Sequence, residues 1–184
     1  ERVPARSYTP QAIANIMNAY ARHKFLDVGL FSFLSTVARS SSPTDWLSRH
    51  LALVVNALAK LDHRDDELLA WIAQASLSRP PSSFDVQAIA NILNGYSKMY
   101  GACMDRQLLL HVAGELREIA HSSPRSLDPQ SVASSLNALV KTGYQDLVSD
   151  GGADLLNQLS YVSSRIDSLA FDAQSVSTIM HAHA

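Results

Sequence analysis

The sequence is poor in the residues that mark several protein classes, and each shortage excludes one of them. A single cysteine, Cys103, rules out a disulfide framework and any metal site built from several cysteines. Seven glycines and seven prolines among 184 residues are too few for a collagen-like or low-complexity chain. No uncharged apolar run reaches the roughly 18 residues of a transmembrane helix, so no membrane insertion is predicted.

The charge balance is also small. The chain has 15 Lys and Arg against 17 Asp and Glu, a formal net charge of −2, which argues against coating nucleic acid through bulk positive charge. Any nucleic-acid contact therefore needs cations placed locally. The hydrophobic fraction of 47% is that of a globular protein, and the length suits one domain or one short repeat array with a sizeable core.

One sequence pattern recurs four times without internal gaps. The copies occupy residues 10–22, 48–60, 86–98 and 129–141, and a fifth begins at residue 173. The marker asparagines Asn18, Asn56, Asn94 and Asn137 are separated by 38, 38 and 43 residues, and His181 follows 44 residues later. This regular spacing predicts a tandem repeat.

Each repeat is predicted to contain two helices. The recurring segment forms the first helix, and the second covers roughly 27–39, 65–78, 104–121 and 153–166, where apolar residues follow helical spacing. Serine- and proline-rich connectors end the units at 40–43, 79–83 and 122–126. We therefore predict an all-α fold, an α-solenoid with a period of about 38–44 residues.

The predicted array fills the whole chain as one domain. Its repeats are approximately 7–44, 45–82, 83–125 and 126–169, with a partial repeat at 170–184. The chain begins without methionine and stops inside a helical pattern, so we expect it to be a fragment of a longer polypeptide.

An apolar residue and then Asp or Thr precede most first helices, which predicts N-caps at Thr9, Asp85, Asp128 and Asp172. The start near Ser48 lacks such a residue.

A polar stripe runs along each predicted first helix. At 100° per residue, Ile13 and Met17 share an apolar face, alanines occupy the flanks, and polar side chains lie opposite. In the second repeat, two stripe positions of the first helix hold Arg49 and Leu53. In the partial repeat the stripe positions hold Gln174, Thr178 and His181. The candidate RNA-binding residues of this polar stripe are Gln11, Asn15, Asn18, Arg22, Asn56, Lys60, Gln87, Asn91, Asn94, Lys98, Gln130, Ser134, Asn137 and Lys141.

The stripe has the chemistry of a nucleic-acid surface. Amides present the paired donors and acceptors that read base edges, and one cation per repeat suits phosphates. Three other interpretations stay open. Cations near helix C-termini favour the macrodipole whatever they bind, and stacked asparagines can tie repeats together. Tandem helical hairpins also serve as protein-binding scaffolds without RNA contact.

The repeat resembles those of a known group. Its core, Gln-x-x-Ala-x-x-x-Asn-Ala-x-Ala-Lys, is similar to the octotricopeptide and heptatricopeptide repeats of organellar RNA-binding proteins, which often precede a RAP domain. The similarity extends over 8–184, although only Asp45-Trp46-Leu47 matches part of the octotricopeptide Pro-Pro-Pro-Glu-Trp-Leu signature. The resemblance implies mitochondrial localisation, or alternatively plastid. It also implies RNA or rRNA binding within a ribonucleoprotein such as the mitoribosome, with protein neighbours and a RAP domain beyond residue 184.

No motif predicts catalysis. His181 and His183 lie on different helix faces, no cysteine or carboxylate cluster completes a metal site, and Gly151-Gly152 lacks the Lys-Ser/Thr of a phosphate loop. Nothing marks a base beside Cys103. We therefore expect no enzyme activity, no catalytic residue, no metal, no cofactor and no small-molecule substrate, and we expect the tryptophans to pack in the core.

Overall fold

The computed structural model describes residues 8–101, 104–147 and 152–165, and these residues form helices without any β-strand. The predicted all-α class is therefore confirmed for this part of the chain. Short 3₁₀ turns occupy Pro43–Asp45 and Pro124–Ser126. The α-helices are α1 (Pro10–Arg22), α2 (Val28–Ser40), α3 (Ser48–Lys60), α4 (Asp66–Leu77), α5 (Val86–Tyr100), α6 (Arg106–Ser122), α7 (Pro129–Lys141), α8 (Tyr144–Leu147) and α9 (Gly152–Arg165).

Each helix from α1 to α5 packs against the next helix but one along the chain, which arranges α1 to α7 in two rows. Helix α1 contacts α3, α3 contacts α5, and α5 contacts α7, and we call these four helices row A. Helix α2 contacts α4 and α4 contacts α6, and these three are row B. One continuous cluster of buried apolar side chains joins both rows, with Leu34, Leu58, Ile72, Ile92 and Leu116 fully buried. None of the described helices is long and apolar enough to cross a membrane.

Capping side chains fix the starts of three row A helices. The Thr9 hydroxyl accepts from the Ala12 N–H at 3.2 Å. The carboxylates of Asp85 and Asp128 accept from the N–H groups three residues later, at 2.7 and 2.9 Å. These bonds satisfy amides that have no partner within the helix, and they confirm the three predicted caps. The predicted cap Asp172 lies outside the described residues.

Helix α3 begins differently. Leu47 precedes it, and its backbone N–H donates to Nδ1 of His50 at 3.3 Å, so the imidazole reaches back to the start of the helix. The His50 side chain is buried, and burial together with the neighbouring Arg49 guanidinium lowers the His50 pKa. A lowered pKa keeps the ring neutral, and Nδ1 accepts a hydrogen bond only when it carries no proton.

The connector 79–83 is bonded to the residues at the start of α3. Arg79 donates to the carbonyl of Trp46 at 2.6 Å, and the Ser48 hydroxyl donates to the carbonyl of Ser83 at 2.7 Å. Trp46 is fully buried, as predicted, and its ring lies 5.3 Å from that of the half-buried Trp71 in an edge-to-face contact. This connector is therefore part of the packed structure.

Small residues allow the row A helices to approach closely. Gly95 in α5 occupies the register position that holds Ala57 in α3 and Ala138 in α7, and all three are buried. A Cβ atom at Gly95 would overlap the side chain of Val55 on α3 and lie 3.3 Å from its carbonyl oxygen. Glycine at this position is therefore required by the α3–α5 contact.

Gly95→Ala is expected to destabilise the fold by about 1–3 kcal/mol, because overpacking outweighs the better helix propensity of alanine. Urea unfolding measures this cost. Gly114→Ala on α6 is the matched control, since no atom lies within 4 Å of its added Cβ, and it should be neutral or stabilising by up to about 1 kcal/mol. Val55→Ala should cost less in the Gly95→Ala protein than in the wild type, because it removes the side chain that the added Cβ overlaps. Equal effects at the two glycines would contradict this account of the interface.

Candidate nucleic-acid interface

The polar stripe residues of row A lie in register. Each marker asparagine is the ninth residue of its helix: Asn18 in α1, Asn56 in α3, Asn94 in α5 and Asn137 in α7. Because these helices pack in the same order, equivalent stripe positions become neighbours. The packing thus converts four separate stripes into one surface.

A shallow groove of about 640 Å³ follows this surface, and we call it the stripe groove. Its polar stripe members are Asn18, Arg22, Asn56, Lys60, Gln87, Asn91, Asn94, Gln130 and Ser134, joined by Leu53 and by Ala90, Asp128 and Ser131. The predicted residues Gln11, Asn15, Lys98, Asn137 and Lys141 occupy stripe positions outside this lining. The groove therefore draws residues from all four row A helices.

The amides of the groove are available to a ligand. Gln87 and Asn94 are exposed, Asn18, Asn56 and Asn91 are half-buried, and no hydrogen bond joins these side chains to another described residue. A structural ladder would require such bonds between asparagines of adjacent helices. No such bond is present among the described residues.

The cations at the C-terminal ends of row A fall into two groups. Arg22, Lys60 and Lys141 are exposed, and none forms an ion pair with a described carboxylate. The ammonium of Lys98 instead donates to the backbone carbonyl of Ala59, in the last turn of α3. Lys98 therefore stabilises a neighbouring helix end, which is the structural role left open by the sequence.

Charge is unevenly divided between the helices. The four row A helices contain no Asp or Glu, and they contain the cations Arg22, Arg49, Lys60, Lys98 and Lys141. Two acidic residues lie at the N-caps of this row, and one of these, Asp128, lines the groove. A chain with net charge −2 thus has a locally positive row, which lowers the electrostatic cost of approach for a polyanion.

A second polar cluster joins α4 to α5. The Tyr100 hydroxyl donates to Asp66 at 2.6 Å, Arg64 Nε contacts the same carboxylate at 2.7 Å, and the guanidinium lies 4.2 Å from the Tyr100 ring centroid. Hydrogen bonds from Tyr100 and then Arg64 lower the Asp66 pKa, so the carboxylate stays ionised.

Among the described residues, no group of three or more His, Cys, Asp or Glu side chains is placed to hold a metal ion.

The comparisons with known proteins identify no family. No protein-family model matches this chain, and no curated protein matches it either. The fold and the groove therefore define the class: an all-α protein whose described helices present a polar groove on a row that lacks acidic helix residues.

Proposed function

We propose that the chain is an α-solenoid of tandem two-helix repeats. The shared register of the marker asparagines supports it, since residues 38, 38 and 43 apart occupy the same helix position. The order of packing supports it as well, because each row A helix contacts the next one along the chain. The repeat boundaries remain those predicted from the sequence.

We further propose that the stripe groove binds single-stranded RNA. The observation that carries this proposal is the groove itself, in which unpaired amides from four helices and the cations Arg22 and Lys60 line one surface. Arg22, Lys60 and Lys141 would contact phosphates, and the amides would bond to base edges. Single strands suit this surface because their base edges are open to side chains, whereas the deep groove of an RNA duplex is not.

The biological setting is proposed from the sequence resemblance alone. Repeats of this kind imply an organellar protein, so we propose a mitochondrial ribonucleoprotein, such as the mitoribosome, as the setting, with a plastid as the alternative. In such a complex the chain would contact RNA through row A and other proteins through the remaining surface.

A protein-binding scaffold is the second candidate. It is favoured by exposed apolar side chains in the first hairpin, where Phe25 and Val28 are each 60% exposed and Phe33 is 40% exposed. Apolar surface of this kind is typical of protein contacts. In this case a partner protein would bind at this apolar surface, and RNA affinity would be weak and independent of sequence.

Replacing Gln87, Asn91 and Asn94 together by alanine is expected to reduce affinity for a selected RNA at least roughly 10-fold more than affinity for a random RNA. The reason is that each lost bidentate contact to a base removes about 1–3 kcal/mol of discrimination. Fluorescence anisotropy with both RNAs measures the difference. Gln74→Ala with Gln107→Ala, which removes exposed amides from row B, is the control and should change neither affinity. Equal losses on both RNAs with a lower melting temperature would reject base recognition.

A further inference from the structure

Helix α3 departs from the pattern of its neighbours at two stripe positions, of which Leu53 lines the stripe groove and Arg49 lies outside its lining. At successive stripe positions α5 presents Gln87 and Asn91, whereas α3 presents Arg49 and Leu53. Later in both helices the pattern is shared, with an asparagine and then a lysine. The two substitutions replace neutral amides by a cation and an apolar side chain, and they lie four residues apart on one helix face.

Leu53 places an apolar patch inside a polar groove. Its side chain is half-buried and lines the groove, which amides of α1, α3 and α5 also line. Leucine has no donor or acceptor, so it cannot distinguish one base edge from another. It can pack against the flat face of any base, and a base packed in this way loses little affinity when its identity changes.

The position of Arg49 is not explained by the stability of α3. It is the second residue of α3, at the helix end where the macrodipole disfavours a cation, and it is exposed. No described carboxylate pairs with it. Burial and, second, the Arg49 guanidinium lower the pKa of the neighbouring His50. Planar guanidinium groups stack on bases and bind phosphate oxygens.

We propose that α3 forms a sequence-tolerant position within the RNA site. The nucleotide opposite α3 packs its base against Leu53 and the guanidinium of Arg49, and it is bound whatever its identity. The nucleotide opposite α5, where Asn91 occupies the position of Leu53 and lines the groove, is read through its edge, and the nucleotide opposite α1 is read by Asn18. The inference rests on the proposed RNA function, and it adds that recognition contains an unread position.

The test is selection of RNA ligands from a random pool by the full chain and by two variants. The wild-type motif is expected to have one position without base preference between positions that have one. Leu53→Asn, which installs the residue of α5, should introduce a preference of at least roughly 5-fold at that position, the equivalent of about 1 kcal/mol. Arg49→Gln, which also copies α5, should weaken all sequences by a similar factor and leave the motif unchanged.

The outcomes separate this inference from the function on which it rests. A wild-type motif with base preference at every position would overturn the tolerant position, even though RNA binding stands, and this result needs no variant. A Leu53→Asn protein that folds and binds RNA but still shows no base preference at that position would also overturn the tolerant position. Leu53→Gln is the second variant, and the same gain of base preference is expected from it. If no RNA is enriched, both proposals fail. Arg49→Gln should leave the melting temperature unchanged or slightly higher, and a large decrease would mean that Arg49 is structural.

Discussion

Ile92→Ala is expected to destabilise the protein by about 2–5 kcal/mol, the usual cost of deleting buried methyl groups where the site cannot collapse. Ile92 is fully buried in α5, the helix that contacts α3, α6 and α7. With neighbours on several sides, the surrounding residues have little freedom to fill the cavity. Urea unfolding followed by circular dichroism measures the change in the free energy of unfolding.

The matched control is Ile16→Ala in α1. Ile16 occupies the same register position as Ile92, but it is only half-buried, because α1 has a single described neighbour in row A. Its loss should cost at least about 1 kcal/mol less, since less apolar area leaves water on folding. Equal costs for the two isoleucines would contradict the central position of α5 in the packed row.

Removing the unpaired cations is expected to have the largest effect on RNA affinity. Combined Arg22→Ala, Lys60→Ala and Lys141→Ala should weaken binding to single-stranded RNA roughly 100-fold at about 0.1 M salt, because each phosphate contact contributes roughly −0.7 to the slope of log affinity against log salt. The slope should therefore become shallower by about 2. A salt titration by fluorescence anisotropy measures both quantities.

Two controls separate position from charge. The combination of Arg106→Ala, Arg117→Ala and Arg125→Ala removes the same charge from outside row A, and it should change the slope little. Lys98→Ala should lower the melting temperature, because it removes the bond to the Ala59 carbonyl, and should change the slope less than Lys60→Ala. If the two triple variants lose affinity equally, net charge rather than the stripe groove governs binding.

Much of the helical structure could be predicted from the sequence because its determinants are local. Apolar spacing identified both helices of each hairpin, and the short-range caps Thr9, Asp85 and Asp128 fixed three helix starts. The start of α3 could not be predicted in this way. Its histidine cap depends on burial of His50, which arises from packing between helices.

In the candidate site, too, the features set within one helix could be predicted, and the features set by packing between helices could not. Helical periodicity was sufficient to place the polar stripe on one face of each first helix, because that periodicity is a property of a single helix. The lining by Asp128 and the bond of Lys98 to Ala59 depend on helices packed side by side, the latter across 39 residues. Arg49 was not among the predicted RNA-binding residues. Its position in the first turn of α3, where helix electrostatics disfavours a cation, could have indicated it.

Photo-crosslinking tests whether RNA lies along row A, as we propose. Single-stranded RNA carrying a photoreactive uridine is bound to the protein and irradiated, and the crosslinked peptides are identified by mass spectrometry. We expect crosslinks concentrated in α1, α3, α5 and α7, at or beside the residues of the stripe groove, and fewer of them in the triple cation variant. Crosslinks confined to α2, α4 and α6, or none above those of an unrelated protein, would contradict it.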